Sequence, residues 1–175
     1  MQKIRELLEL PEVYPRDAVV PAPPTTYKVK PLTVDHLSEL LRLSVRCFRG
    51  SETYNRETFE YLLREPQVLA YQVMAEEGAI VGFVFVLTNK GRIAHITTVA
   101  VAPEHRKRGI ARLLLDHAEK ALQAKGFESI VLEVRVSNLA AQNLYTNRGF
   151  VIIQKLSSYY NDGEDAFLMT RSLMS

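Results

Sequence analysis

The sequence predicts an α/β fold of the α+β type, in which a mixed, mostly antiparallel sheet of about seven strands is flanked by about four helices. About seven segments show the alternating or continuous apolar pattern of strands, and about four show the apolar period of amphipathic helices. The chain has 175 residues, of which 47% are hydrophobic and 24% charged. This composition suits one globular domain with a sizeable core.

Residues 1–26 are predicted to lie outside that domain, which would span residues 27–175. The first ten residues place Ile4, Leu7 and Leu8 on one side of a short helix. A proline-rich stretch follows directly. Because proline is excluded from helix interiors, we expect an extended connector there.

The first half of the domain is predicted to form a strand, two helices and then an antiparallel meander of three strands separated by glycine-containing turns. The first helix carries Leu37, Leu40, Leu41 and Val45 as its expected apolar stripe, and Thr33 is placed to cap its start. The predicted strands are 27–31, 68–75, 80–88 and 93–101, and the predicted helices are 34–48 and 56–64.

The second half alternates helix and strand before it ends in two strands joined by a polar loop. Gly126 is expected to close the first of these helices, and Asn138 is expected to cap the second. The predicted helices are 110–125 and 139–148, and the predicted strands are 129–136, 151–156 and 166–170. This order places helices on the faces of a mixed sheet.

The composition argues against several classes of function. The formal net charge of +2 argues against nucleic-acid binding, and no apolar run approaches the roughly 18 residues of a membrane span. Cys47 is the single cysteine, so it is expected to fill core space, and it suits a cytoplasmic location. His36, His105 and His117 match no ligand spacing, so we expect them at the surface and expect no metal.

A basic turn that contains one glycine joins the predicted strand 93–101 to the predicted helix 110–125. The N–H groups at a helix start lack partners and carry about half a positive charge, and Gly109 lets a ligand approach the backbone. The turn therefore predicts an anion site, although these six residues alone fit a solvated surface turn equally well. They include no Walker Gly-Lys-Ser/Thr and only one of the three Rossmann glycines. The turn reads Arg106-Lys107-Arg108-Gly109-Ile110-Ala111.

This Arg-x-x-Gly-x-Ala spacing resembles the pyrophosphate-binding loop of the GNAT superfamily of acetyl-CoA-dependent N-acetyltransferases. A second motif, Asn-x-x-Ala-x-x-x-Tyr-x-x-x-Gly-Phe from Asn138 to Phe150, resembles the other half of that family's coenzyme site. The two motifs stand in the family's order and at its separation. The resemblance runs from about Tyr27 to the C-terminus and implies the GNAT fold.

Within the superfamily, the segments 132–135 and 159–166 resemble those of protein Nα-acetyltransferases, both the bacterial ribosomal-protein alanine acetyltransferases (RimI type) and their archaeal relatives. This resemblance implies transfer of acetyl from acetyl-CoA to the α-amino group of a protein or peptide N-terminus. The amine would attack directly in a ternary complex. The expected partners are acetyl-CoA and that N-terminus, in a monomer or homodimer.

The resemblance implies three catalytic residues. Glu133 would be the general base, His95 on the neighbouring strand would help to hold a water near the amine, and Tyr145 would be the general acid for the departing thiolate. Which of Glu133 and His95 is the main base stays open. Without the resemblance, Glu133 could simply pair with Arg135, His95 could bond to the backbone, and Tyr145 could only fill space beside its helix.

The same resemblance implies where the coenzyme binds. In this fold the fourth strand splays from the fifth, so backbone groups there would pair with the pantetheine arm, and an N–H of Val99 would face the developing oxyanion. The implied coenzyme contacts are Val99, Ala100, Val101, Arg106, Lys107, Arg108, Gly109, Ile110, Ala111, Asn138 and Tyr145.

For the acceptor peptide, the paired Tyr159 and Tyr160 in the last loop are expected to bracket the substrate backbone. Phe48 or Tyr54 would form the other wall. The Phe-Pro pair that relatives often carry near this place is missing, which leaves the preference for the first substrate residue open. Two rival functions also remain: acetylation of a small-molecule amine or lysine, and a catalytically idle acyl-CoA-binding regulatory module.

Overall fold

The computed structural model describes residues 19–48, 54–88 and 91–174. In chain order, these residues form β1 (Tyr27–Pro31), a 3-10 turn (Val34–His36), α1 (Leu37–Cys47), α2 (Arg56–Arg64), β2 (Val68–Ala75), β3 (Ile80–Leu87), β4 (Ile93–Val101), a second 3-10 turn (Pro103–His105), α3 (Ile110–Ala124), β5 (Ser129–Arg135), α4 (Leu139–Thr146), β6 (Val151–Leu156) and β7 (Ala166–Ser172). The predicted elements of the domain are all present, with their ends shifted by a few residues.

The strands form one mixed sheet in the order β1-β2-β3-β4-β5-β7-β6. The predicted meander is confirmed, because β2, β3 and β4 pair antiparallel in sequence. Strands β4 and β5 pair parallel, since α3 carries the chain back across the sheet between them. The remaining pairs, β5 with β7 and β7 with β6, are antiparallel. The predicted fold class is confirmed.

The parallel pair is short, and the sheet opens where it ends. Strands β4 and β5 pair only from Ile93 with Ser129 to Ile96 with Leu132, although both strands continue beyond these residues. In the pairing of β3 with β4, Phe85 faces Thr98 while Val86 faces Ile96, so Thr97 is an extra residue in β4. Such a bulge bends a strand, and here it lies where β4 leaves β5.

Helix α3 packs closely on β3 because Gly82 has no side chain. A Cβ at this position would lie 2.9 Å from Ile110 Cγ2 and 3.0 Å from the carbonyl oxygen of Ala100. Burial of Leu114, Leu115 and Leu122 on the inner face of α3 then builds the core against the sheet. This packing sets the position of the turn that begins the helix.

The expected apolar stripe of α1 is partly wrong. Its buried side chains are Leu37, Leu40, Leu43 and Ser44, whereas Val45 is 69% exposed. At about 100° per residue, Val45 lies about 130° from the centre of the buried face. Packing against the sheet therefore decides which face of α1 is buried, and hydrophobicity alone did not identify that face.

The predicted helix in residues 1–10 and most of the predicted connector lie outside the described residues. Residues 19–26 form neither helix nor strand. The N–H of Ala22 donates to the carbonyl oxygen of Glu104 at 3.0 Å, so the end of this segment lies against the second 3-10 turn. No helix in the described part of the chain has the length and hydropathy needed to cross a membrane.

Candidate active site

A cavity of about 340 Å³ lies where β4 and β5 part. Its walls come from β4, β5, α4, the end of α1 and the loop between β6 and β7. The cavity is lined by eight of the residues that were predicted to form the site: Phe48, Tyr54, Val99, Glu133, Asn138, Tyr145, Tyr159 and Tyr160. The fold therefore gathers into one cavity residues that are spread over more than half of the chain.

Glu133 and His95 form a close pair at this opening. His95 lies opposite Val131 in the sheet, and Glu133 lies two residues further along the same face of β5. The Nε2 of His95 is 2.6 Å from Oε2 of Glu133, and the two side chains are only 31% and 17% exposed. An ionised carboxylate only accepts hydrogen bonds, so the histidine N–H donates to it. The chain thus presents a carboxylate and an imidazole, two groups that can accept and pass a proton.

Tyr145 contributes a protonated phenol to the same cavity. It lies on α4, where its ring packs 5.6 Å from the ring of Phe150. Burial, and to a smaller extent the nearby Tyr160, raises the pKa of the Tyr145 hydroxyl to about 12. Asn138 begins this helix, because its Oδ1 accepts the N–H of Ala141 at 3.1 Å, as the predicted cap requires.

The loop between β6 and β7 brings two tyrosines over the cavity. The rings of Tyr159 and Tyr160 meet edge to face with centroids 5.1 Å apart. Partial burial is the main reason that the pKa of Tyr159 is raised, followed by the negative charge of Glu133 and the neighbouring Tyr54. Tyr159, Tyr54 and Phe48 line the same cavity as Glu133.

Arg135 at the end of β5 holds this loop, a role that the sequence analysis did not predict. Its Nη1 lies 2.9 Å from Asp162 and 2.6 Å from Glu164, and its guanidinium carbon lies 3.8 Å from the centre of the Tyr160 ring. Glu164 also accepts the N–H of Ser137 at 2.9 Å. The acidic residues after the tyrosines were only a weak signal, because exposed carboxylates need no cation and nothing in the sequence shows that Arg135 lies beside them.

The basic turn begins α3 with a left-handed glycine. Gly109 has a φ of 77° and an ideal Cβ there would meet nothing within 4 Å, so the approach to its backbone is open. Arg106 and Lys107 are exposed. Ile110 instead packs in the core, and Ala111 is half-buried. The turn lies beyond β4, outside the wall of the cavity.

Arg108, an implied coenzyme contact, is hydrogen-bonded to the segment before β1, and His105, expected at the surface, packs beside it. The guanidinium of Arg108 donates to carbonyl oxygens of residues 22 and 23 and to the Tyr27 hydroxyl. His105 is buried rather than exposed, and its Nδ1 lies 3.0 Å from that same hydroxyl. His36 is also half-buried, with its Nδ1 3.2 Å from the N–H of Thr33. Among the three, only His117 is exposed as expected.

Cys47 packs at the edge of the core. Burial raises the pKa of its thiol to about 11, against smaller opposing effects of Arg106 and Arg46. A thiol that stays protonated is a poor nucleophile, which agrees with its expected role as core filler. Within the described ranges, no three His, Cys, Asp or Glu side chains converge to hold a metal ion.

The open sheet, the basic turn at the start of α3 and the carboxylate–imidazole pair beside the strand opening agree with the GNAT resemblance of the sequence. Residues 37–150 match the model of the acetyltransferase (GNAT) family. The chain belongs to the GNAT family, whose enzymes use acetyl-CoA.

Similar proteins agree with this assignment. An N-alpha-acetyltransferase of Saccharolobus solfataricus is 34% identical over 152 residues, covering 80% of this chain and 87% of that protein. The catalytic subunit NAA10 of the Arabidopsis thaliana N-terminal acetyltransferase A complex is 36% identical over 151 residues, covering 83% of this chain and 77% of that subunit. The crystal structure of the Escherichia coli ribosomal-protein-S18-alanine N-acetyltransferase superposes with a TM-score of 0.77 at 26% identity, covering 86% of this chain and 96% of that one.

Proposed function

We propose that the protein transfers acetyl from acetyl-CoA to the α-amino group of a protein or peptide N-terminus. One observation carries the proposal: Glu133, whose Oε2 lies 2.6 Å from the Nε2 of His95, lines the cavity at the strand opening together with Tyr159 and Tyr160. The two sequence relatives and the E. coli enzyme, whose names describe acetylation of N-termini or of an alanine, support the same substrate class.

The residues present fit acetyl-CoA. Arg106, Lys107 and Gly109 of the basic turn are exposed, so the turn can offer backbone N–H groups and positive charge to a diphosphate, and the approach to Gly109 is open. Between this turn and the cavity, β4 continues past its last pair with β5, so a pantetheine arm can pair with its free side near Val99. When bound, the coenzyme supplies the activated acetyl thioester. Asn138 and Tyr145 lie on the far side of the opening.

The proton-accepting groups suit an α-amine. An α-amine has a pKa near 7.7–8.0, so about a tenth of it is neutral at pH 7, whereas neutralising a lysine amine costs about 4–5 kcal/mol there. Glu133 attracts the substrate ammonium by charge and accepts its proton, directly or through a water. His95 holds the carboxylate in place and provides a second acceptor.

Tyr145 serves the leaving group as a hydrogen-bond donor. With its pKa raised to about 12, the phenol stays protonated throughout the working range. Complete transfer of that proton to a thiolate with an ordinary pKa near 8.5 is uphill by about 5 kcal/mol. We therefore infer that the hydroxyl stabilises the growing negative charge on sulfur without losing its proton first.

A pair of matched peptides tests the proposal. Both have the same sequence with one internal lysine, and one of them is blocked by acetylation at its N-terminus. After incubation with acetyl-CoA, fragmentation mass spectrometry should locate the new acetyl group on the α-amine of the free peptide, and the blocked peptide should stay unmodified. Acetylation of the lysine at an equal rate in both peptides would overturn the proposal. We also propose that the protein acts in the cytoplasm, and cell fractionation tests this location.

A further inference from the structure

The basic turn is tied to the segment that precedes the domain. Nη1 of Arg108 donates to the carbonyl oxygen of Pro23 at 2.9 Å and to the Tyr27 hydroxyl at 3.0 Å, and Nη2 donates to the carbonyl oxygen of Ala22. The charge in the middle of the turn is therefore directed at the connector. The partners of Arg108 in these contacts lie outside residues 37–150, the stretch that matches the family model.

A second set of contacts holds the residues just before the turn to the same segment. The N–H of Ala22 donates to the carbonyl oxygen of Glu104 at 3.0 Å. The Tyr27 hydroxyl, which accepts from Arg108, also lies 3.0 Å from Nδ1 of the buried His105. The connector thus contacts both the 3-10 turn that leads into the basic turn and the basic turn itself.

The backbone on either side of Arg108 needs such support. Lys107 has a φ of 61° and Gly109 a φ of 77°, so two left-handed residues flank Arg108. For lysine this conformation is unfavourable, and such a residue keeps it only where the surroundings hold it. The hydrogen bonds of Arg108 fix the residue between the two and so hold the conformation that exposes the N–H groups of the turn.

We propose that residues 22–27 act as a brace for the coenzyme turn and that Arg108 is the positioning residue through which they act. The inference rests on acetyl-CoA binding at this turn, but it does not depend on which amine is acetylated. In this arrangement Arg108 contacts the connector, and the exposed Lys107 and the backbone at Gly109 are left to meet the diphosphate. Because coupling between two sites is reciprocal, coenzyme binding should in turn tighten the brace.

A double-mutant cycle on coenzyme affinity tests the brace. The variants are Arg108→Gln, Tyr27→Phe and the double variant, with Arg64→Gln as the control because that exposed arginine pairs with Glu60 on α2. Calorimetric titration with coenzyme A alone gives the dissociation constant without any acceptor peptide. We expect about a tenfold weakening for Arg108→Gln and about threefold for Tyr27→Phe. The double variant should match Arg108→Gln, and kcat at saturating acetyl-CoA should stay close to the parent's.

Other outcomes of the cycle would overturn the brace. If Arg108→Gln weakens binding but Tyr27→Phe does not, or if the two effects simply multiply, then Arg108 acts on the phosphate by its own charge. Unchanged affinity in all variants would exclude both roles. If the peptide assay described above fails while the mutant cycle gives the expected result, the proposed substrate is refuted and the brace is not.

The unmodified protein provides a measurement that does not depend on how the variants fold. Hydrogen exchange followed by mass spectrometry compares residues 19–27 with and without saturating coenzyme A. The brace requires slower exchange in this segment when the coenzyme is bound, with α2 as the internal reference that stays unchanged. Identical exchange of residues 19–27 in both states would refute the coupling.

Discussion

Replacing Glu133 by glutamine removes one negative charge from the strand opening and preserves the shape of the side chain. The wild-type carboxylate is 17% exposed and lies 2.6 Å from the His95 Nε2. A glutamine can still accept the histidine N–H, so we expect the pair to stay in place. What is lost is the charge that attracts an ammonium and the basicity that accepts its proton.

The size of the defect follows from the ionisation of the substrate. With a pKa of 7.7–8.0, about 9–17% of an α-amine is neutral at pH 7 and about 91–95% at pH 9. An enzyme without its base depends on the neutral form, so its kcat/KM should rise roughly six- to tenfold between these pH values. We expect a loss of about 10- to 100-fold at pH 7 relative to the wild type, shrinking by that same factor at pH 9.

The assay follows release of the CoA thiol at both pH values with a peptide that has a free N-terminus. Cys47 and Tyr145, with pKa values raised to about 11 and about 12, do not ionise appreciably at pH 9. Glu60→Gln serves as control, because Glu60 is an exposed partner of Arg64. A defect of equal size at both pH values, or a rate within about twofold of the wild type at pH 7, would refute the assigned role.

Four further predictions concern the site, its support and Cys47. Tyr145→Phe should lower kcat by about 10- to 100-fold and leave the calorimetric affinity for coenzyme A within about twofold; an unchanged kcat would exclude the hydrogen bond to sulfur. Gly82→Ala should reduce the free energy of unfolding in urea by about 1–3 kcal/mol, because the new Cβ would meet Ile110 Cγ2 at 2.9 Å; an unchanged midpoint would contradict the close packing. Cys47 should react slowly with a thiol reagent at pH 8 and much faster as the pH approaches 11, and rapid reaction at pH 8 would show that it is not buried. Because the folded pKa of Cys47 is above its usual value of 9.0, its contribution to stability should be complete below pH 9 and lost as the pH rises through about 11, as urea unfolding at each pH measures.

Much of the site could be predicted because local rules fix it. Alternation along β5 decides that Glu133 shares a face with Val131, and Val131 lies opposite His95. The capping amide of Asn138 marks the start of α4 and so sets where Tyr145 lies. The period and the cap fixed these positions within their elements, whereas the order of the strands and the roles of Glu133, His95 and Tyr145 came from the resemblance to the GNAT superfamily.

Other features could not be predicted because they depend on which surface packs against which. The bulge at Thr97 depends on the register between β3 and β4, and nothing in the local pattern marks it. The buried face of α1 is chosen by the sheet beneath it, which leaves Val45 exposed. Arg135 reads as an ordinary strand residue until the loop with Asp162 and Glu164 folds over it.

By itself the sequence determined the elements, their order and the position of the basic turn, and its resemblance to the GNAT superfamily singled out Glu133 and His95. Periodicity, caps and turn residues act within a few positions of the chain, so they can be recognised in the sequence without knowledge of the fold. Only the tertiary structure decided that β4 and β5 part after Ile96 and Leu132, and that Arg108 faces the connector while Arg106 and Lys107 stay exposed. These outcomes depend on contacts between residues far apart in sequence, where burial and hydrogen bonding of one segment are settled by another.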